Sequence, residues 1–163
     1  MTGSRIGSPD AMTKDHARVY FPPPLIHGAG IVFGIGLDAL FPMTFSAPGS
    51  TGLGGGLLIV ALLIAAWGFR AFVHHHNPVA PHQPINGLMT GGPFRYTRNP
   101  LYLALALLHA GIGLVSGYVW MLLTLLPTLL IVRYYVIARE EAYLTRRFGA
   151  AYLDYQTRVR RWI

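Results

Sequence analysis

Apolar residues along this chain come in long, nearly unbroken runs, without the strict alternation of half-buried strands. Helices that are apolar all round are buried in lipid or in a large core. A helix that crosses the bilayer hydrocarbon needs about 20 such residues, with roughly 17 to 25 tolerated. The first run, from Leu25 to about Phe41, holds one His and one Asp, and the second, Leu53 to Val73, is uncharged until Arg70. From Leu101 to Val132 no formally charged residue occurs. As a single helix that stretch measures on the order of 48 Å, well beyond a hydrocarbon core of about 30 Å. It has to fold back, and Ser116-Gly117, followed by interfacial Tyr118 and Trp120, is the weak point. The pattern predicts a helical hairpin with spans near 101–115 and 118–138, the first of them short enough to need tilt or local thinning. The expected fold is all-α, a polytopic helical membrane protein of about four transmembrane helices forming one domain over 1–163.

Composition agrees with that solvent. Of the residues, 53% are hydrophobic and 12% charged, whereas a soluble domain carries about 25% charged residues. So apolar a chain excludes disorder, collagen and nucleic-acid tails. The 0 cysteines exclude a disulfide framework, a cysteine nucleophile and thiolate-ligated metal. The net charge of +7 is explained by where it sits. Arg5, Lys14 and Arg18 precede the first run, and Arg70, Arg95 and Arg98 flank the loop between the second and third. Arg133 and Arg139 lie at the end of the fourth, followed by Arg146, Arg147, Arg158, Arg160 and Arg161. The other two connections, Pro42–Gly52 and Ser116-Gly117, carry no charge. All 13 basic residues thus fall on one side, which the positive-inside rule makes cytoplasmic. The expected layout is a mobile cytoplasmic arm over 1–19, four spans within 25–138, and a cytoplasmic C-terminal helix over 139–163. The arm is polar and lacks the apolar core of a cleavable signal. Membrane lipids are expected partners and nucleic acid is not.

Chemistry is expected on the charged side. The loop from His74 ends in Arg95-Tyr96-Thr97-Arg98-Asn99-Pro100-Leu101-Tyr102. Asn is among the best N-cap residues and Pro is favoured at the first helical position, so Asn99-Pro100 starts the third helix. Its unpaired N–H groups, beside the Arg98 guanidinium, suit a carboxylate or phosphate. On local physics the plainer reading is the stronger: an ordinary capped helix with its arginines at lipid headgroups. Glu140 and Glu141 are adjacent carboxylates directly after an apolar run, where ionised groups are costly unless they have a task. Arg133, seven residues earlier, falls on roughly the same helical face as Glu140 and is a structural partner for it. The alternative is an acidic patch that meets a cation or sugar hydroxyls. Beyond it Tyr143, Leu144, Phe148, Ala151, Tyr152 and Tyr155 recur at three- and four-residue spacing, as in an amphipathic helix that Gly149 weakens or bends. His74, His75 and His76 point about 100° apart on a helix and do not converge on one metal ion. His27 and His109 read as buried hydrogen-bonding groups, and Asp38 is given no role.

The stretch from Leu88 through Gly91-Gly92-Pro93, Arg95, Arg98-Asn99-Pro100 and Tyr102 resembles the signature of the isoprenylcysteine carboxyl methyltransferase family. The second half of that signature follows in Glu140-Glu141, Leu144, Phe148-Gly149, Tyr152, Tyr155 and Val159, and the paired glutamates are shared with the related phospholipid methyltransferases. One departure is Ala104, where many relatives have Gly. The resemblance implies an integral membrane enzyme that transfers a methyl group from S-adenosylmethionine, with its cofactor pocket at the cytoplasmic ends of the last helices. It implies cofactor-binding roles for Leu88, Met89, Tyr96, Arg98, Asn99, Pro100, Tyr102, Glu140 and Glu141. Within that set, Arg98 and the Asn99-Pro100 helix start would take the carboxylate, one glutamate the ammonium or ribose, and Leu88, Met89, Tyr96 and Tyr102 the apolar parts. The acceptor expected is lipophilic or membrane-associated, an isoprenylcysteine carboxylate or another small thiol, carboxylate or lipid. No catalytic residue is assigned. The alternatives are an NADPH-dependent membrane reductase similar to sterol reductases and a non-catalytic scaffold of the same fold.

The charge asymmetry is open to direct test. A reporter fused at Ser50 is expected to read out as non-cytoplasmic and one at the C-terminus as cytoplasmic; a cytoplasmic signal from Ser50 would overturn the four-span layout.

Overall fold

The computed structural model describes residues 17, 19–79, 83 and 85–163. Most of the expected N-terminal arm, residues 1–19, lies outside the described residues; Ala17 and Val19 are buried against Val136 and Tyr143. Helix α1 spans Pro23–Leu40 and α2 spans Ser50–His74. A short 3-10 turn at Gly92–Arg95 leads into α3, Pro100–Ser116. Helix α4, Val119–Ile131, runs through a π-helical stretch at Val132–Ile137 into α5, Ala138–Phe148. Helix α6 spans Ala150–Arg158. Among the described residues there is no strand, only a single antiparallel bridge between Thr44 and Tyr118. The protein is all-helical and membrane-integral: α1, α2 and the α4–α5 rod are each long and apolar enough to cross a bilayer, and α3 is a shorter apolar helix. Leu25, Phe33, Leu62, Leu63 and Leu126 are more than half exposed on the bundle exterior. In water such a surface would aggregate; in a bilayer it meets a matched solvent.

The helices start and stop where the chain's special residues stand. Pro23 and Pro24 open α1 and Pro100 opens α3, positions whose N–H groups have no intrahelical partner in any case. The fold-back at Ser116-Gly117 is as expected, with Gly117 in the left-handed region at φ 71° ending α3. Gly117 N–H bonds Gly113 O at 3.0 Å, and Phe45 N–H donates to Gly117 O at 2.9 Å. Val119 N–H donates to Met43 O at 3.0 Å and Trp120 Nε1 to Phe41 O at 2.7 Å. The two uncharged connections therefore satisfy each other's backbone at one end of the bundle. Asp38 has a local task there, its Oδ1 accepting Met43 N–H at 3.0 Å.

Two antiparallel pairs, α2 with α3 and α1 with α4, make the heaviest packing, and α3 joins them by also packing on α4 and α1. Small residues set these distances, as is usual where lipid removes the hydrophobic drive between helices. A Cβ on Gly54 would lie 2.9 Å from the Gly111 carbonyl oxygen, and one on Gly34 would lie 2.8 Å from the Met121 Cα. Inside, His27 and His109 are fully buried with their Nδ1 atoms 3.3 Å apart. His109 Nε2 lies 3.1 Å from Met121 O, a pure acceptor, so that nitrogen donates. His109 Nδ1 then accepts from His27 Nδ1, a buried contact that ties α1 to α3.

Glycines in the same helix differ sharply in what surrounds them. Gly54→Ala is expected to lower stability by about 1–3 kcal/mol through forced separation of α2 and α3. A Cβ on Gly55 would meet nothing within 4 Å. The same change there should be neutral or gain up to about 1 kcal/mol of helix propensity. Thermal unfolding of both variants in detergent checks the contrast.

Candidate functional site

A cavity of about 560 Å³ opens between the charged ends of α1, α2, α3 and α5. One end is polar, formed by Arg98, Asn99, Tyr102, Glu140 and Glu141; the other runs down between α2 and α3 along Ala61, Leu62, Ala65, Leu105 and Leu108. Of the residues expected at a site, Leu88, Met89, Arg98, Asn99, Pro100, Tyr102, Glu140 and Glu141 all line it. Tyr96 does not: its side chain is turned out, the residue 69% exposed, with its ring 5.9 Å from that of Trp67. The three loop histidines His74, His75 and His76 are exposed, and among the described residues no group of three or more metal-ligating side chains forms.

The two glutamates have different partners. Glu141 is held by two guanidiniums: Arg98 Nη1 lies 3.0 Å from its Oε1, while Arg161 donates from Nε to Oε1 at 2.9 Å and from Nη2 to Oε2 at 2.6 Å. The Arg98 and Glu141 side chains are 13% and 15% exposed, so this is a largely desolvated pair strengthened by a forked donor. The hydrogen bond that Arg161 donates to Glu141 raises the Arg161 pKa above its ordinary value. Glu140 Oε1 instead accepts the Tyr102 hydroxyl at 2.5 Å. Among the described residues no arginine or lysine is ion-paired with Glu140.

The expected Arg133–Glu140 pairing does not form. The π-helical stretch Val132–Ile137 lies between them, with Ala138 N–H reaching back five residues to Arg133 O. One residue more per turn rotates everything downstream by about 100° relative to a continuous α-helix. Arg133 stays outside, its guanidinium 5.4 Å from the Tyr134 ring centre, and Glu140 turns toward α3. Asn99 also departs from expectation. It occupies the N-cap position of α3 but makes no side-chain cap; its Nδ2 donates to Arg161 O at 2.9 Å.

That contact belongs to a strap the sequence pattern did not reveal. Gly149, at φ 52° and ψ −126°, breaks the tail where a side chain would be strained. The tail is consequently two helices, and after Arg158 it continues beneath the loop as a non-helical segment. Arg160 O accepts Arg98 N–H at 3.0 Å and Arg161 O accepts the Thr97 hydroxyl at 3.2 Å. Tyr155, whose phenol is raised in pKa chiefly by burial, donates to Phe94 O at 2.7 Å. On the loop's other side Asn77 is buried, accepts Asn86 N–H at 2.7 Å and Gly87 N–H at 3.2 Å, and donates to Gly87 O at 2.8 Å. Those bonds hold the backbone just ahead of Leu88 and Met89. Arg161 and Asn77 are thus site-building residues to which the sequence pattern assigns no role, and Tyr155, which it places on an amphipathic helix and in the signature, is a third; Asn77-Pro78, a turn-forming pair, is the one local signal for the loop.

A family model described as phospholipid methyltransferase matches residues 50–151, from the start of α2 into α6. The chain belongs to the phospholipid methyltransferase family. Membership implies methyl transfer to acceptors of the membrane-lipid type. The matched region contains Arg98, Tyr102, Glu140 and Glu141, whereas Arg161 lies beyond it. No curated protein and no solved structure gives a significant match.

Unequal partners imply unequal sensitivity. Glu141→Gln leaves two guanidiniums facing a neutral amide, and an unfolding free energy lower by about 1.5–3 kcal/mol is expected, the worth of a charge-assisted hydrogen bond. Glu140→Gln keeps an acceptor for Tyr102 and is expected to melt close to the parent. Equal melting of the two variants would deny the division of labour.

Proposed function

We propose that this phospholipid methyltransferase family member transfers a methyl group from S-adenosylmethionine to a lipophilic or membrane-associated acceptor. The observation that carries the reading is the two-ended cavity, charged at the membrane surface and apolar toward the hydrocarbon. The residues present fit the donor. Arg98 Nε is buried and has no hydrogen-bond partner among the described residues, a donor suited to a carboxylate. Glu140, which has no basic partner among the described residues, suits an ammonium or a sulfonium. Arg98 with Asn99 and Pro100 would hold the carboxylate end, Glu140 the cationic end, and Leu88 and Met89 the adenine. Tyr96, exposed and outside the cavity, has no part in this reading as the loop stands.

When bound, S-adenosylmethionine supplies an electrophilic methyl group on a sulfonium. The chain's own task is to align the two reactants and exclude water. Leu105 and Leu108 stand five and eight residues into α3, so the apolar end reaches about 12 Å below the helix start. An acceptor with its tail there would present its head at Tyr102 and Glu140. A carboxylate or thiolate acceptor needs no base; an amine must lose a proton, and among the described residues Glu140 is the cavity carboxylate not already engaged by arginine. The accompanying topology has four spans, with both termini and the His74–Asn99 loop cytoplasmic. It is supported by the antiparallel pairs, which put the basic residues and the cavity at the same end.

Calorimetry on detergent-purified protein tests the donor. S-adenosylmethionine is expected to bind and NADPH is not; the reverse would establish the reductase, and binding of neither would leave only a scaffold. Arg98→Ala is expected to weaken S-adenosylmethionine by about tenfold to a hundredfold, the equivalent of a charge-assisted contact. Unchanged affinity in a folded variant would remove Arg98 from the pocket.

A further inference from the structure

A second concavity, of about 710 Å³, lies on the outer side of the bundle between α1 and α4, and it shares no lining residue with the first. Leu25, Ala29 and Phe33 form one wall and Pro127, Ile131 and Tyr135 the other. On its floor the two helices touch closely: a Cβ on Gly30 would overlap the Thr128 hydroxyl. Leu25 and Phe33 are each 62% exposed, so the groove opens sideways toward lipid and not toward the cytoplasm.

Its character changes at one end. Along the α4–α5 rod the groove residues Pro127 and Ile131 lead to Tyr135 in the π-helical stretch, and Tyr135 in turn carries Arg139 of α5. The Arg139 guanidinium sits 4.0 Å from the Tyr135 ring centre, and its Nη1 donates to Tyr135 O at 2.9 Å. The Tyr135 hydroxyl accepts Tyr20 N–H at 3.3 Å, which holds the ring that seats the guanidinium. Arg139 is exposed and, among the described residues, has no carboxylate partner. Twenty residues separate it from Val119 at the opposite end of the rod, about 30 Å at the rise of a helix and the thickness of the bilayer hydrocarbon. A guanidinium with free donors, seated on an aromatic ring at the level of lipid phosphates, is thus joined end to end with a lipid-facing apolar groove.

We propose that the α1–α4 groove binds one anionic membrane phospholipid, an acyl chain lying between Leu25, Phe33 and Ile131 and the phosphate on Arg139. Charge complementarity selects this occupant: a planar guanidinium bonds a phosphate through two donors, and anionic headgroups concentrate at basic membrane faces. A second copy of the chain would bring its own excess of arginine to the same level. The site is separate from methyl transfer and stands whether or not that reading does.

Native mass spectrometry of the full chain in detergent, titrated with phosphatidylglycerol and phosphatidylcholine of identical acyl chains, reads the site directly. The parent is expected to retain phosphatidylglycerol about fivefold more tightly, the effect of one arginine near an anionic headgroup. Arg139→Gln is expected to erase the preference, and Ala29→Phe, which fills the groove, to lower retention of both lipids. Equal retention by the parent, a preference that survives Arg139→Gln, or a dimer that Ala29→Phe dissociates would each overturn the proposal.

Discussion

The charged end of this molecule is organised by Glu141. Its carboxylate lies on α5, and the two guanidiniums that hold it come from the loop before α3 and from the segment after α6. One acidic group therefore ties together three pieces of chain that are distant in sequence. Such a cluster is not a source of large net stability, because desolvating the charges offsets most of their attraction. What it supplies is register. Removing Glu141 leaves two guanidiniums facing each other with no carboxylate between them, so it is this one group that fixes how the loop, α5 and the strap meet. The strap's carbonyls then engage Arg98 N–H, Thr97 and Asn99, and the start of α3 is held from outside.

A single extra residue in the α4–α5 rod decides which glutamate does this. Without the π-helical stretch, Glu140 would stack two turns above Arg133 on the outward face. With it, Arg133 stays on the exposed outer face and Glu140 turns to Tyr102 on α3, beside an apolar cavity wall. The same displacement seats Val136 and Ile137 in the interior, both with no exposed surface. π-Helical turns often accompany functional sites for this reason: they re-aim a side chain without interrupting the helix.

Much of the architecture was legible in the order of residues. The charge-free run from Leu101 to Val132 had to fold back, and it does so at Gly117. Asn99-Pro100 had to begin a helix, and α3 begins there. Those inferences rest on backbone chemistry that is local. Side-chain partners are not local. Asn99 is a good cap by type, yet the carbonyl of Arg161, sixty-two residues away, takes its amide. Arg133 matches Glu140 by helical arithmetic, yet the arithmetic assumes 3.6 residues per turn throughout. Tyr96 lies in the middle of the signature and still faces out. A motif identifies the segment that carries a site; which of its side chains point inward depends on turns that no periodicity encodes.

The bilayer explains why the site is built at this end. Within the hydrocarbon, helices gain little from hiding apolar surface and associate through close contact, so Gly34 and Gly54 bring them together where bulk would hold them apart. Near the uncharged connections the loops also bond each other. Toward the charged end the residues facing inward become Leu105, Tyr102 and Phe69, too large for the same approach, and the helices enclose the cavity instead. Polar groups at that end have water and loop backbone to satisfy them, so a carboxylate such as Glu140 is tolerable there and would be prohibitive ten residues deeper. A site that combines charge with an apolar wing is then confined to the interface, where the two solvents meet and where a water-soluble donor and a membrane-bound acceptor can both be reached.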